Sequence, residues 1–120
     1  MTAGPPWIAE LFRAIDAKDA ERFAGFIVED GTFLFGNAPA VSGRAAVRDV
    51  VAGFFGSIRG LSHQVLHVAE AGGAVWSRGI VTYTRHDGST LTVPFSNYFE
   101  MRGDRVRHYQ IYVDASTLYR

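Results

Sequence analysis

Apolar and polar residues alternate along residues 76–114, a pattern typical of β-hairpins in a sheet with one buried face. Side chains of one parity project from one face of a strand, and most of this set is apolar: Leu91, Val93, Phe95, Phe99 and Met101. Asn97 interrupts the row. A buried amide must find hydrogen-bond partners or cost about 1–3 kcal/mol, so Asn97 either anchors a core or awaits a ligand.

Apolar residues at helical spacing dominate the first half of the chain. They predict a helix at residues 7–15, a short helix at 20–27, a strand at 32–35 and a third helix with its apolar stripe at 47–55. Pro5 and Pro6 favour the start of the first helix. Asp19 can cap the second helix, and Ser42 can cap the third.

The remainder of the chain has the pattern of a sheet. Strands are predicted at residues 61–71, 74–85, 90–102 and 105–115, and glycine-containing turns separate them: Gly72-Gly73, Asp87-Gly88 and Gly103-Asp104. Consecutive hairpins of this kind predict an antiparallel meander. Asp114 is expected to cap the last turn of the chain, at residues 116–119.

The assumed length of one turn decides which residues face Asn97. If Asp87-Gly88 is a two-residue turn, then Arg78 lies opposite Asn97, and the neighbouring pairs follow as Ile80 with Phe95 and Trp76 with Phe99. Arg78 and Asn97 would then form a pair of hydrogen-bond donors on the concave face. Alternatively, the two residues are a structural pair within the sheet.

The last predicted strand has two alternative registers. A bulge near Arg107 or His108 would turn Tyr109 inward, together with the apolar residues that follow it. A slip of one residue would instead present His108, Gln110 and Tyr112. In that second register His108 would reach the cavity and be the best available acid or base, because imidazole can both give and take a proton near neutral pH.

Composition excludes several classes of function. A chain of 120 residues is expected to form a single domain, residues 1–120, and it has no apolar run long enough to span a membrane. The formal net charge is zero, so the chain lacks the excess of positive charge expected of a nucleic-acid-binding protein. The absence of cysteine excludes thiolate metal sites and cysteine nucleophiles. Residues 1–6 lack the features of a signal peptide, so we predict a cytoplasmic protein.

No sequence motif indicates a cofactor or a metal. Glycine-rich phosphate loops, serine triads and helical histidine pairs are missing from the sequence, and we assign no cofactor. His63 and His67 would share one face of a regular strand but stand roughly 13 Å apart, which is too far for one ion. We therefore predict no metal site.

The order of predicted elements resembles the SnoaL-like and ketosteroid-isomerase-like branch of the nuclear transport factor two-like superfamily. The residues that carry the resemblance are 14–19, 28–32, 42–44 (Ser-Gly-Arg) and 105–114 (RVRHYQIYVD). The resemblance implies an α+β fold, in which three N-terminal helices pack on a cone-shaped, curved antiparallel sheet. It also implies a cavity for a small apolar molecule, and a homodimer formed through the outer face of the sheet.

The functional residues of these relatives are mostly replaced in this chain. Transferred by resemblance, the isomerase general base falls at Phe35, its oxyanion-hole tyrosine at Leu11 and its protonated aspartic acid at Asn97. The acidic residue of the similar limonene epoxide hydrolases falls at Ile111. Because phenylalanine cannot move a proton, the usual carboxylate base is absent.

Two function classes remain open at this stage. The first is an isomerase, dehydratase or cyclase for a small apolar cyclic substrate, with Asn97, Arg78 and His108 as catalytic candidates. The expected substrate-binding residues are Trp76, Tyr109, Phe35, Leu11 and Phe95, although aromatic residues at the positions of Trp76 and Tyr109 are more often core residues. The second class is a non-catalytic ligand-binding or dimeric accessory protein.

Overall fold

The structure is a computed structural model that describes residues 4–119, and these form three helices and six strands. The helices are α1 (Pro6–Asp16), α2 (Ala20–Gly25) and α3 (Arg44–Gly56). The strands are β1 (Ile27–Phe35), β2 (Val41–Ser42), β3 (Gly60–Ala71), β4 (Ala74–Thr84), β5 (Thr90–Arg102) and β6 (Arg105–Val113). The signal-peptide prediction concerned residues 1–6, of which 1–3 lie outside the described residues.

Local sequence explains where the helices begin. Pro6 stands in the first turn of α1, and Asp19 Oδ1 accepts a hydrogen bond of 3.0 Å from the backbone N–H of Arg22, which confirms the predicted cap of α2. The predicted Ser42 cap is wrong. Gly43 occupies the position before α3 with φ 94°, a conformation that favours glycine. Ser42 lies in β2 instead, where it pairs with Thr32 of β1.

The six strands of the described chain form one curved sheet in the order β2-β1-β6-β5-β4-β3. The predicted meander from β3 to β6 is confirmed, and so is the α+β class. The sheet is mixed rather than purely antiparallel, however, because β1 runs parallel to β6. The connection between these two strands passes through α3 and the meander, which is long enough for a parallel crossover.

The hairpin between β4 and β5 corrects the predicted register. Arg85 N–H donates to the Ser89 carbonyl at 2.8 Å, so the loop has three residues and ends with Gly88 at φ 89°. Three-residue hairpins take this form, with glycine in the left-handed position. The whole pairing therefore shifts by one residue, and Asn97 lies opposite Ser77. The predicted pairing of Arg78 with Asn97 is wrong.

The register of β6 agrees with one of the two predicted alternatives, the bulge near Arg107 or His108. Glu100 pairs with His108 and Met101 with Val106, so Arg107 is the extra residue. This bulge turns Tyr109 onto the concave face, where it is almost completely buried. His108 consequently projects from the outer face of the sheet.

A second bulge bends β3 beside Gly79. Val65 pairs with Gly79 and His67 with Arg78, which leaves Leu66 as the extra residue. Because of this bulge, His63 and His67 lie on opposite faces, and the assumption that they share a face is wrong. A Cβ atom on Gly79 would lie 2.0 Å from the carbonyl oxygen of Gln64, so the bulge requires glycine.

The helices cover the concave face, and the last residues close one end of it. Leu118 is buried, and the Arg85 guanidinium donates to its carbonyl through Nε at 2.7 Å. Asp114 Oδ1 accepts a hydrogen bond of 3.0 Å from Ser116 N–H, which confirms the predicted cap of this turn. The core beneath is a continuous cluster in which aromatic rings pack from α1, α2, β1, β5 and β6.

Candidate functional site

A cavity of about 40 Å³ lies between the helices and the concave face of the sheet. Its walls are mainly aromatic and aliphatic. The polar side chains among the described residues that line it are His63, Tyr83, Asn97 and Tyr109. At roughly 10–15 Å³ for each water, this space holds about three water molecules, or a ligand fragment of similar size.

An ion-pair geometry fixes the histidine of the cavity. His63 Nδ1 lies 2.6 Å from Asp16 Oδ1, and the backbone N–H of His63 donates to Asp16 Oδ2 at 3.1 Å. The imidazole packs between Phe12 and Phe95, with ring centroids 5.0 and 5.2 Å away. Because a carboxylate only accepts hydrogen bonds, this contact assigns a proton to Nδ1, and in the neutral ring Nε2 is then the unprotonated nitrogen.

Asp16 and His63 come from different elements. Asp16 is the last residue of α1. His63 lies in β3, before the bulge at Leu66, and projects from the concave face of the sheet. The side chain of His63 is 10% exposed, and that of Asp16 is 31% exposed. Such a pair has the elements of a base oriented by a carboxylate.

Three buried polar atoms of the described residues have no hydrogen-bond partner: Ser77 Oγ, Asn97 Oδ1 and Tyr109 Oη. Asn97 and Tyr109 line the cavity, and Ser77 is the cross-strand neighbour of Asn97. Buried polar groups are normally satisfied, and each such exception calls for an explanation. A ligand or waters in the cavity would supply the missing partners of Asn97 and Tyr109.

Burial keeps the two phenols of the cavity protonated. It raises the pKa of Tyr83 to about 12, with a smaller contribution from Tyr119. It raises the pKa of Tyr109 further, with a smaller contribution from Tyr83. Both hydroxyls are therefore hydrogen-bond donors at neutral pH.

Several residues predicted from the sequence do line the cavity. They are Asn97, Tyr109, Phe35 and Phe95. Leu11 is buried in the core beneath α1 rather than at the cavity wall. Ile111, which matches the epoxide hydrolase acid, also lines the cavity and offers no proton-transfer group.

The other three predicted residues lie on the outer face. Trp76 is 42% exposed and contacts Tyr98, with ring centroids 5.4 Å apart. Arg78 is exposed and lies opposite Ser96. His108 Nδ1 lies 2.5 Å from the hydroxyl of Thr32. Compared with the predicted registers, the three-residue hairpin places Trp76 and Arg78 on the outer face, and the bulge in β6 does the same for His108. None of the three therefore reaches the concave cavity.

Sequence reasoning missed the Asp16–His63 pair. The two residues are separated by 47 positions, so no local motif connects them. One signal was available, because His63 has the same parity as the buried Leu61 in the predicted strand. Among the described residues, no group of three or more potential ligands could hold a metal ion.

The structure is thus an α+β fold with a small, mostly apolar cavity between its helices and the concave face of a curved sheet. The chain belongs to the SnoaL-like domain family, whose model matches residues 8–109. No match to the chain was found among curated proteins. Within the described residues no helix is long and apolar enough to cross a membrane.

Solved structures with the same fold include proteins that bind small molecules. A protein from Catenulispora acidiphila with a ketosteroid isomerase-like fold, in complex with trimethylamine, has 16% identity and a TM-score of 0.85, covering 92% of this chain and 86% of its own. A proposed polyketide cyclase from Xanthomonas campestris has 19% identity and a TM-score of 0.83, covering 92% and 90%. TerC, co-crystallised with polyporic acid, has 18% identity and a TM-score of 0.80, covering 92% and 91%.

Proposed function

We propose that the protein is an acid–base enzyme that moves a proton on a small, mostly apolar carbonyl compound, in an isomerase, dehydratase or cyclase reaction. The single observation that carries the proposal is the Asp16–His63 pair, whose imidazole lines the cavity. It supplies the base that was missing when Phe35 was matched to the isomerase carboxylate. Membership of the SnoaL-like family and the likeness to a proposed polyketide cyclase support the same reaction class.

In the proposed reaction His63 Nε2 removes a proton from the carbon next to the substrate carbonyl. The electron pair of the broken C–H bond moves onto the carbonyl oxygen, which becomes an enolate. The amide of Asn97 and the hydroxyl of Tyr109 or Tyr83 donate hydrogen bonds to that oxygen, and the surrounding apolar walls strengthen them. The imidazolium, held by Asp16, then returns the proton to another atom of the intermediate.

A non-catalytic binding function is the alternative. The observation that favours it is the size of the cavity, because about 40 Å³ is far below the roughly 300–1,000 Å³ of common ligand pockets. A binding protein would use the same aromatic walls and the same buried polar atoms without partners, Asn97 Oδ1 and Tyr109 Oη. It would need no proton transfer at His63.

The homodimer remains a proposal for the outer face of the sheet. Exposed side chains on this face support it, among them Trp76 at 42%, Ile80 at 37% and Tyr112 at 53%. Large exposed apolar side chains that cluster together favour an interface. Sedimentation should give a dimer at micromolar concentration and a monomer for Trp76→Glu, whereas a wild-type monomer would contradict the proposal. The cytoplasmic location also remains a prediction.

Proton abstraction can be tested without knowing the natural substrate. The protein is incubated in D₂O with a panel of small cyclic ketones, and deuterium entering the carbon next to the carbonyl is followed by NMR. We expect exchange above the buffer rate for at least one ketone. His63→Gln should lower that rate by about 10²–10⁴-fold, the usual contribution of a positioned acid or base.

His67→Gln is the matched control, because His67 lies in the same strand on the opposite, exposed face. It should exchange deuterium at the wild-type rate. An absence of exchange for every ketone would favour the binding alternative. Equal rates for wild type and His63→Gln would contradict the assignment of the base.

A further inference from the structure

Two phenylalanines separate the cavity from a second space. Phe35 and Phe54 line the inner cavity, and they also line an outer cleft of about 330 Å³. The other walls of the outer cleft are the turn at residues 36–38 and the C-terminal residues 113–119, apart from Thr117. The wall between the two spaces is therefore made in part from these two aromatic side chains.

Phe54 packs against three aromatic rings. Its centroid lies 5.1 Å from that of Phe35, 5.9 Å from that of Tyr83 and 6.2 Å from that of Phe55. Phe35 and Phe54 are partly exposed, whereas four other phenylalanines of the cavity wall are buried: Phe23, Phe33, Phe55 and Phe95. Because it is only partly enclosed, the Phe54 ring can change rotamer by giving up these ring contacts, without displacing the buried core.

The outer cleft differs from the inner cavity in chemistry. Its lining is mostly apolar, and Asp114 is the one carboxylate among the described residues that form it. The Ser116 hydroxyl and backbone N–H hold the pKa of Asp114 below its ordinary value, so the group stays ionised. A carboxylate at this position disfavours an anionic ligand.

We propose that Phe54, together with Phe35, is a gate between the two spaces, and that the substrate spans both. The substrate class is a neutral molecule with one carbonyl or hydroxyl end in the inner cavity and an aromatic or aliphatic body in the outer cleft. This inference rests on the proposed function for the identity of the reacting end. With the gate open, the combined space falls within the usual range for ligand pockets.

The probe is 2-naphthol, a neutral two-ring molecule with one hydroxyl that is too large for the inner cavity alone. Its binding is followed by stopped-flow fluorescence at neutral pH. Because side-chain rotamers interconvert much faster than 2-naphthol binds, the association rate constant of wild type is reduced by the fraction of molecules in which the gate is open. Phe54→Ala should remove this reduction and speed association by about tenfold, because the three ring contacts together keep the gate closed in roughly nine molecules of ten.

Controls separate a gate from a passive wall. Val50→Ala changes an exposed residue of the same helix and should keep the wild-type kinetics. Phe54→Leu serves as a second variant if Phe54→Ala fails to fold, and it should also speed association. Ala38→Trp fills the outer cleft from its exposed turn and should weaken 2-naphthol binding about tenfold while affecting phenol less.

The outcomes distinguish the gate from the enzyme. Gated 2-naphthol kinetics without any deuterium exchange would support the gate and contradict the proposed function. Deuterium exchange that depends on His63, combined with unchanged association in Phe54→Ala and Phe54→Leu, would overturn the gate alone. A failure of 2-naphthol to bind wild type would overturn the proposed substrate class.

Discussion

Alanine in place of Gly79 adds one methyl group at the point where β3 bulges against β4. The new Cβ would lie 2.0 Å from the carbonyl oxygen of Gln64 and 3.0 Å from the ring of Phe95. The oxygen belongs to the backbone of the neighbouring strand, so it cannot rotate away as a side chain could. Because ordinary carbon–oxygen contacts lie at about 3.4 Å, β3 must move away by roughly 1.4 Å or the bulge must be lost.

Overpacking of this kind typically costs about 1–3 kcal/mol and occasionally more. A rigid backbone oxygen places Gly79→Ala at the upper end, so we expect a loss of about 3 kcal/mol in the free energy of unfolding. For a domain of this size that corresponds to a fall of roughly 10 °C or more in Tm. The deuterium-exchange rate should fall as well, because the same bulge sets the face from which His63 projects.

Urea unfolding followed by circular dichroism measures the change. Gly53→Ala is the matched control, because Gly53 lies inside α3, is exposed, and has no heavy atom within 4 Å of the added Cβ. That variant should gain about 0.5–1 kcal/mol from helix propensity. A Gly79→Ala variant as stable as wild type would show that β3 has no such bulge and that the assignment of faces in β3 is wrong.

Two further predictions concern the polar groups of the cavity. Asn97→Leu removes a buried carbonyl oxygen without a partner, so the free energy of unfolding should stay equal or rise by about 1–3 kcal/mol; a clear loss in urea unfolding would make Asn97 a structural anchor. Burial raises the pKa of Tyr83 to about 12, so above pH 10 the unfolded chain loses this proton before the native protein does. Stability should therefore fall as pH rises from 10 to 12, by about 1.4 kcal/mol per pH unit for Tyr83, and urea unfolding of Tyr83→Phe should show a shallower fall.

The fold was largely predictable because its signals are local. Helical spacing predicted α1 and α3, glycine-containing turns predicted the hairpins, and alternation predicted the strands. The strand β2 and the early start of β1 were missed. Both involve short or partly exposed segments, in which pairing with other strands decides the structure more than intrinsic propensity.

The candidate site was only partly predictable because single-residue shifts decide which face a side chain occupies. One extra residue in the loop ending at Gly88 moved Trp76 and Arg78 to the outer face. The bulge at Leu66 separated His63 from His67. The alternation within β5 was sufficient to place Asn97 on the concave face, whereas Tyr109 was placed there in only one of the two registers predicted for β6.

The partnership of His63 with Asp16 could not be derived from spacing. It depends on how the C-terminal end of α1 packs against β3, which is a property of the assembled fold. A histidine on the buried parity of a strand and an acidic residue at a helix end are each common and uninformative alone. Their combination becomes a functional signal only when the geometry brings them to one cavity.

The most direct test of the account is the tautomer of the His63 imidazole, measured by ¹⁵N–¹H correlation NMR above the pH at which the ring becomes neutral. The account predicts that Nδ1 carries the proton, held by Asp16, while Nε2 is unprotonated and changes its shift when 2-naphthol binds. Asp16→Asn should weaken this tautomer preference. Two results would contradict the claim that this histidine is a base facing the cavity. One is a wild-type ring with its proton on Nε2, and the other is an Nε2 chemical shift that does not change when 2-naphthol binds.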